Sequence, residues 1–330
     1  MELTCDNAVE VQQHLISLGW LQPVDRIVRI EPAGEGNMNV TLRATLADRS
    51  LILKQSRPFV AKYPDIPAPL ERLDVEAAFY GAVSASPAVA GQMPELLGYD
   101  PANHLLALED LGASAEFSHL YDSGSHVQGD SLPSAELLNW LGRLHTLDPA
   151  HLDVTVFDNQ AMRRLNHAHI FEIPLTADNG LEFPPARTAI ARRCATDRIL
   201  QDKAAELGRL YLAPPSTSSR LLHGDFYPGS WLATEAGIRI IDFEFAFIGP
   251  VEFDLGVFLG HCLMSGHPPD TLFDLLEAYS APVPYDPALA LAFAGIEIIR
   301  RLLGVAQLPL TASEATLSEW LDWGYDKVSA

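Results

Sequence analysis

The sequence predicts an α+β protein of two lobes, a small β-rich N-terminal lobe followed by a larger, mainly helical C-terminal one. Three observations carry this expectation. The 330 residues suffice for two separate hydrophobic cores. Short runs of alternating apolar residues crowd into the first third of the chain. Beyond Ser134 the apolar positions recur at helical spacing over long stretches.

In the first lobe, residues 7–20 space Val9, Gln12, Leu15, Ile16 and Leu18 as an amphipathic packing helix that ends at Gly19. A short strand, Ile27–Ile30, leads into the glycine-bearing turn Gly34-Glu35-Gly36, followed by the strand pair Val40–Leu46 and Leu51–Gln55. A turn of this kind can lay backbone N–H groups over phosphates. Within Leu51-Ile52-Leu53-Lys54, alternation sends Ile52 and Lys54 to one face and Leu51 and Leu53 to the other. A helix over Pro69–Val83 buries Leu70, Leu73, Ala77 and Tyr80 and offers three acids, Glu71, Asp74 and Glu76.

In the second lobe, Ser134 reads as the N-cap of a helix with Leu137, Leu138, Leu141 and Leu144 at core spacing, and His145 closes it as a structural residue. Residues 187–212 form one long helical pattern with Arg192, Arg193 and Lys203 on a solvated face. His167 and His169 could imitate a metal pair, but no third and fourth ligand lies nearby in sequence. The span Asp286–Gln307 is a hydrophobic helix interrupted by Glu297 and by Arg300-Arg301. Buried cations there demand anionic or hydroxyl partners. Successive helical residues point about 100° apart, so the two arginines are not expected to follow one direction; the plainer alternative is that they bridge surface acids.

The chemistry-bearing stretch is Leu221–Gly256. An apolar run, Leu221-Leu222, delivers His223-Gly224-Asp225 into one loop, and Ile238, Ile240 and Ile241 deliver Asp242-Phe243-Glu244 into another. Asp242 and Glu244 are two apart, so in an extended segment their side chains leave on one face. Such a hard-oxygen pair suits Mg²⁺, which takes one or two carboxylates plus waters and substrate phosphates. Asp225, upstream in its own loop, supplies the separate carboxylate that phosphoryl transfer needs to orient a hydroxyl and receive its proton.

His223-Gly224-Asp225 followed by Asp242-x-Glu244 resembles the eukaryotic-like small-molecule kinases, which include aminoglycoside phosphotransferases, choline kinases and methylthioribose kinases. Three runs are similar to the methylthioribose kinases in particular: Gly34-x-Gly36-Asn37-x-Asn39, Asp242-Phe243-Glu244-Phe245-Ala246-Phe247-Ile248-Gly249-Pro250, and the twin arginines Arg300-Arg301. The resemblance implies a bilobal protein-kinase-like fold, with a nucleotide-binding lobe over 1–109 and a catalytic and substrate-binding lobe over 110–330. It implies ATP and Mg²⁺ as cofactors, with Gly34, Gly36, Asn37 and Asn39 near the phosphates, Ile52 against the adenine, and Lys54 on the α/β-phosphates, held straight by Glu76. Glu109 and Leu111 fall in the hinge segment, where backbone groups clamp an adenine edge. Asp242 and Glu244 are implied to hold the metal, and Asp225, Arg300 and Arg301 to act in catalysis. Ser230 stands where protein kinases have asparagine, and Asp254 matches the acid that holds the catalytic loop. The sequence departs from the methylthioribose kinase pattern at Phe226-Tyr227-Pro228, just after the expected base.

Composition excludes other classes. A net charge of −21 repels a nucleic-acid backbone over most of the surface. Three scattered cysteines, Cys5, Cys194 and Cys262, suggest neither a disulfide framework nor a zinc site. With no apolar leader and no run long enough to span a bilayer, a cytoplasmic location without membrane attachment is expected. The expected partner is a small hydroxyl-bearing substrate, with a homodimer left open. The function expected first is ATP-dependent phosphorylation of a sugar-like substrate, methylthioribose or a relative. An aminoglycoside- or choline-type phosphotransferase acting on an amino alcohol, and a catalytically silent nucleotide-binding scaffold, stay open beside it.

Overall fold

A computed structural model describes residues 1–34, 38–112, 114–122 and 132–330. The chain forms two compact units. The first joins Met1–Ala115 to Ala233–Phe245, and the second joins Glu116–Leu232 to Ala246–Ala330. The first unit therefore extends six residues past Glu109 and takes back a segment from far along the chain. A division by chain position cannot register such a return. The returning segment is held by the Ile240 N–H, which donates to the Gln92 carbonyl at 2.7 Å, and by Phe243, whose ring stacks on Phe79 at 4.2 Å.

The first unit is built on an antiparallel sheet of β1 (Arg29–Pro32), β2 (Val40–Thr45), β3 (Ser50–Gln55), β6 (Leu96–Asp100) and β7 (Leu105–Glu109), in the order β1-β2-β3-β7-β6. The short pair β4 (Phe59–Val60) and β5 (Tyr63–Pro67) stands apart from it. Alternation in β2, β3 and β7 sends Leu42, Ala44, Leu51, Leu53, Leu105 and Ala107 into one core, together with Val11 and Leu15 of α1 (Ala8–Ser17). Each such leucine contributes about 1.5–3 kcal/mol of burial. The other face of β3 is left to Ile52 and Lys54. Helix α2 (Arg72–Val83) begins three residues after Pro69, because Arg72 turns its buried guanidinium onto the Pro69, Arg57 and Met38 carbonyls. The one-turn helix α3 (Pro87–Ala90) follows.

The second unit is mainly helical: α4 (Ser134–His145), α5 (Gln160–His167), α6 (Pro185–Thr196), α7 (Arg198–Leu212), α8 (Val251–Met264), α9 (Pro269–Ala278), α10 (Pro287–Leu303) and α11 (Glu314–Ser329). Two expectations are corrected here. Ser134 is the first helical residue and not the cap, and Pro133 before it offers no side-chain acceptor. The single helix expected over 187–212 is two, because Asp197 leaves the helical conformation and its carboxylate caps α7 through the Ile199 and Leu200 N–H groups. Arg192, Arg193 and Lys203 are solvated as expected, with Arg193 paired to Asp322. Helix α10 opens on an Asp286 cap with Pro287 in its first turn.

Helix α8 is buried along its whole length and packs against α10. Two glycines permit this. A Cβ at Gly256 would lie 2.3 Å from the Phe293 Cβ, and one at Gly260 would lie 3.1 Å from the Ala294 carbonyl oxygen. Among the described residues, no helix is long and apolar enough to cross a membrane.

Candidate functional site

The expected site residues form two charge clusters, one in each unit. In the first unit, β3 carries Lys54 inward, where its Nζ donates to Glu76 Oε2 and to Asp242 Oδ1, both at 2.7 Å. Of the three acids, Glu76 on α2 alone is buried; Asp74 on α2 is half-buried and Glu71, just before the helix, is exposed. Glu244 lies on the far side of the cluster, 3.2 Å from Arg72 Nε, and its Oε2 accepts from Asn39 Nδ2 at 2.9 Å. Asn39 Oδ1 in turn accepts from Arg72 Nε at 2.8 Å, so its amide ties the acid to the cation.

Asp242 and Glu244 do not pair as the sequence suggested. The segment is not extended: Asp242 sits in the left-handed region at φ 67°, and Phe243–Phe245 forms a 3₁₀ turn. The period-two rule therefore does not apply. Instead the Asp242 side chain stays 43% exposed, while that of Glu244 is buried. Left-handed aspartate is uncommon and costs about 1–3 kcal/mol where the surroundings enforce it.

Three carboxylates and two cations leave this cluster with one net negative charge in a buried setting. Burial and the neighbouring acids Asp242 and Glu244 push Glu76 up to about 7, against the pull of Lys54. Burial also raises Glu244, with Lys54 and Arg72 opposing. For Lys54 burial works downward, but Asp242, Glu76 and Glu244 outweigh it and hold the ammonium well above the usual lysine range. Among the described residues no group of three or more His, Cys, Asp or Glu is arranged to hold a metal ion by itself. What is present is one partly exposed and one buried carboxylate, a donor set of the kind Mg²⁺ completes with waters and phosphates.

Gly34 has φ 106°, which glycine adopts freely, whereas Gly36 and Asn37 lie outside the described residues. Ile52, Glu109 and Leu111 stand outside the hydrogen-bonded cluster. Glu109 closes β7 by exchanging hydrogen bonds with Glu95. The neighbouring Asp110 anchors the hinge segment: it takes two bonds from Arg43, at 2.6 and 2.9 Å, and one from Ser50 at 2.6 Å.

In the second unit, Asp225 is presented by a loop that follows the strand Arg220–Leu222, which pairs antiparallel with Phe247–Gly249. The loop is held from below by Asp254 on α8, whose carboxylate accepts the His223 N–H at 2.7 Å and the Gly224 N–H at 2.9 Å. His145 steadies Asp254 at 3.2 Å and makes a second bond, at 2.7 Å, with the Tyr279 hydroxyl. Ser230 Oγ donates back to the Asp225 carbonyl at 3.1 Å.

Both arginines of α10 reach Asp225. Its Oδ1 lies 2.9 Å from Arg301 Nη2 and 3.4 Å from Arg300 Nη1. Glu297 spans the pair, accepting from Arg300 Nη1 at 3.0 Å and from Arg301 Nε at 2.6 Å. The expectation that the two could not follow one direction is corrected. Their Cα–Cβ bonds do diverge, but Glu297 lies three and four positions earlier, on the face between them, and the long side chains fold back to it. Nor are their acids on the surface, for Glu297 is 1% exposed and both arginines 5%. Burial alone would raise Glu297, yet Arg300 and Arg301 hold it far below the usual carboxylate range.

Sequence reasoning missed the groups around this cluster. Tyr227 lays its ring 4.7 Å from the Arg301 guanidinium, and His261 of α8 contacts Glu297 at 3.2 Å. The one available signal was a histidine inside an otherwise apolar helix.

Residues 29–291 match the family model of the phosphotransferase enzyme family. The chain belongs to this family. It is a small-molecule kinase that transfers a phosphoryl group to a hydroxyl. Among similar proteins, the methylthioribose kinase of Bacillus pumilus is 27% identical, covering 92% of this chain and 85% of its own. That of Exiguobacterium sibiricum is 28% identical, covering 84% and 80%. The chain spans 65% of the length of the Erwinia tasmaniensis methylthioribose kinase, at 27% identity. Among solved structures, LicA in complex with AMP superposes with a TM-score of 0.56 at 14% identity, covering 97% of this chain and 95% of that one. Spectinomycin phosphotransferase APH(9)-Ia superposes at 0.55 with 15% identity, covering 100% and 99%. At these identities the structural likeness is one of fold.

Proposed function

We propose that this phosphotransferase moves the terminal phosphoryl group of ATP to a hydroxyl of methylthioribose or a closely related sugar. The observation that carries the reading is Asp225, a loop carboxylate whose Oδ1 is gripped by two buried arginines. In this reading Oδ2 takes the acceptor hydroxyl, orients its lone pair and receives its proton. Arg300 and Arg301 offer positive charge where the transferring group gathers negative charge. Lys54, steadied by Glu76, would bind the nucleotide phosphates. Asp242 and Glu244 would hold Mg²⁺, whose charge would screen the phosphate oxygens. Asn39 then serves as the clamp that fixes Glu244, and Ile52 with the backbone of 108–111 would meet the adenine. The three free cysteines, Cys5, Cys194 and Cys262, suit a reducing cytoplasm.

Two features favour a neutral sugar over an amino alcohol. The acceptor cluster has no spare negative charge to hold a cation, because Asp225 and Glu297 are already matched by Arg300 and Arg301. The curated relatives named above are also methylthioribose kinases. The test is coupled ADP release over a panel of sugars, amino alcohols and aminoglycosides, with Asp225→Asn as control. Turnover on methylthioribose that falls about 10²–10⁴-fold in the variant is expected. Faster turnover on an amino alcohol would move the reading to the choline or aminoglycoside type, and nucleotide binding without turnover on any acceptor would favour a scaffold.

A further inference from the structure

Behind the acceptor cluster runs a buried chain of polar groups. The Tyr121 hydroxyl lies 2.6 Å from His261 Nδ1, and His261 Nε2 lies 3.2 Å from Glu297 Oε1. That same Oε1 accepts from Arg301 Nε at 2.6 Å, and Arg301 Nη2 ends the chain on Asp225 Oδ1 at 2.9 Å. The proton positions follow from the chemistry. A carboxylate only accepts, so Nε2 carries the hydrogen; Nδ1 is then the acceptor, and the tyrosine O–H donates to it. Burial holds His261 down to about 4, with Glu297 opposing, so the imidazole is neutral at working pH.

The placement of His261 depends on α8 lying close against α10. Gly260, the residue before it, lies close under the Ala294 carbonyl, where a Cβ would come within 3.1 Å, so the two helices approach closely at the turn that carries His261. Tyr227 closes the other side. Its ring lies 5.4 Å from the His261 ring and over the Arg301 guanidinium, and it fits there because Gly229 beneath it has no Cβ, which would fall 2.5 Å from the ring.

We propose that His261, fixed by the Tyr121 hydroxyl, is a positioning residue for the acceptor half of the reaction: through Glu297 it fixes where Arg301 holds its guanidinium against Asp225. The proposal rests on the kinase reading above and deepens it. Arg301 is restrained at three places, by Glu297 at Nε, by Asp225 at Nη2 and by the Tyr227 ring on its plane. Of these, the Glu297 restraint is shared with His261, whose Nε2–H lies on Oε1, the same oxygen that takes the Arg301 Nε–H. The groups facing His261 are Glu297 and Arg301 from α10, Tyr121 from the turn Phe117–Tyr121, and Tyr227 and Asp225 from the catalytic loop.

The experiment compares wild type with Tyr121→Phe, His261→Gln and His261→Ala by ADP-release kinetics from pH 5 to 8. It is paired with ¹⁵N NMR of the arginine Nε–H signals. His261→Ala is expected to lower kcat about tenfold, with the KM for ATP changed less than about twofold, and His261→Gln, which keeps an N–H for Glu297, to recover part of the loss. Tyr121→Phe keeps the packing but removes the donor that fixes Nδ1, so kcat is expected to fall across the whole pH range, by a smaller factor than in His261→Ala. A Tyr121→Phe profile that superimposes on wild type, with His261→Ala within twofold in kcat, overturns the proposal. If wild type turns over no acceptor, the kinase reading fails separately. The NMR arm still decides the positioning role: a slowly exchanging Arg301 Nε–H signal that weakens in His261→Ala supports it, and an unchanged signal overturns it.

Discussion

The two charge clusters are made of the same side chains and are balanced differently. The first-unit cluster sets Glu76, Asp242 and Glu244 against Lys54 and Arg72 and is left one negative charge over. The second-unit cluster sets Asp225 and Glu297 against Arg300 and Arg301 and is neutral, with His261 uncharged beside it. A buried cluster with excess charge resolves it by taking up a proton or a cation. One with none to spare is already arranged for its task. The difference bears on the proposed metal site: burial and neighbouring acids raise Glu76 to about 7, so it can carry a proton where the proposal puts a cation, and the second cluster has no such excess acid.

The sharpest way to break this comparison is to neutralise one buried glutamate in each cluster. Glu297→Gln strips the neutral cluster of an acid and leaves two buried guanidiniums with Asp225 alone. Breaking a buried pair from one side costs roughly 3–5 kcal/mol, and that loss should appear in urea unfolding at pH 7. Glu76→Gln makes the same change where there is an acid in excess, and near pH 7 its cost should be smaller than that by several fold. Equal losses in the two variants would mean that charge balance does not distinguish the clusters.

A second difference is in pH dependence. Glu76 is raised in the fold from 4.5 to about 7, so the folded chain holds a proton that the unfolded chain has lost in that window. Its contribution is complete below about 4.5 and is lost as pH rises through 7. Glu297 is depressed, so its contribution is complete above the ordinary glutamate range and is lost only as pH falls below it. His261, held down to about 4 by burial, works the other way over the same range, so the readout is the difference between variants: the change in unfolding free energy from pH 5 to pH 7.5 should be more negative in wild type than in Glu76→Gln by on the order of 1–3 kcal/mol. A change left the same by the substitution would place the buried proton elsewhere.

The halves also differ in how much of them was legible in the sequence. Alternation in Leu51–Lys54 was enough to turn Lys54 away from the leucine face, because a strand has only two faces and one is the core. The Asp225 loop and its Asp254 prop were legible through the family resemblance, which carries both the motif and the matching acid. The Tyr121–His261 contact spans 140 residues of chain, and no local pattern reports a pairing at that range. Asp242 and Glu244 failed for another reason. Their paired geometry was not readable, because an aspartate in the left-handed region breaks the period on which face assignments rest. The break at Asp197 was hidden by helical spacing on both sides of it.

The smallest expected effect belongs to Ser230, and it tests how far the catalytic loop shares the self-sufficiency of its cluster. In protein kinases the matching asparagine is a metal ligand. Here the serine hydroxyl is buried and donates to the Asp225 carbonyl, so its bond is internal to the loop. Ser230→Ala removes one such hydrogen bond, worth about 1 kcal/mol, and the carbonyl it leaves behind keeps its place because Asp254 still holds the loop from below. A melting temperature lowered by a few degrees and a kcat within about fivefold of wild type are expected, the latter because about 1 kcal/mol of misplacement at Asp225 can cost no more. A loss of a hundredfold, with the nucleotide KM rising alongside, would mean that the hydroxyl leaves the Asp225 carbonyl in the working enzyme and reaches the nucleotide or its metal. The loop would then depend on a ligand, as is proposed for the first cluster, and the contrast between the two halves would narrow to the arginines alone.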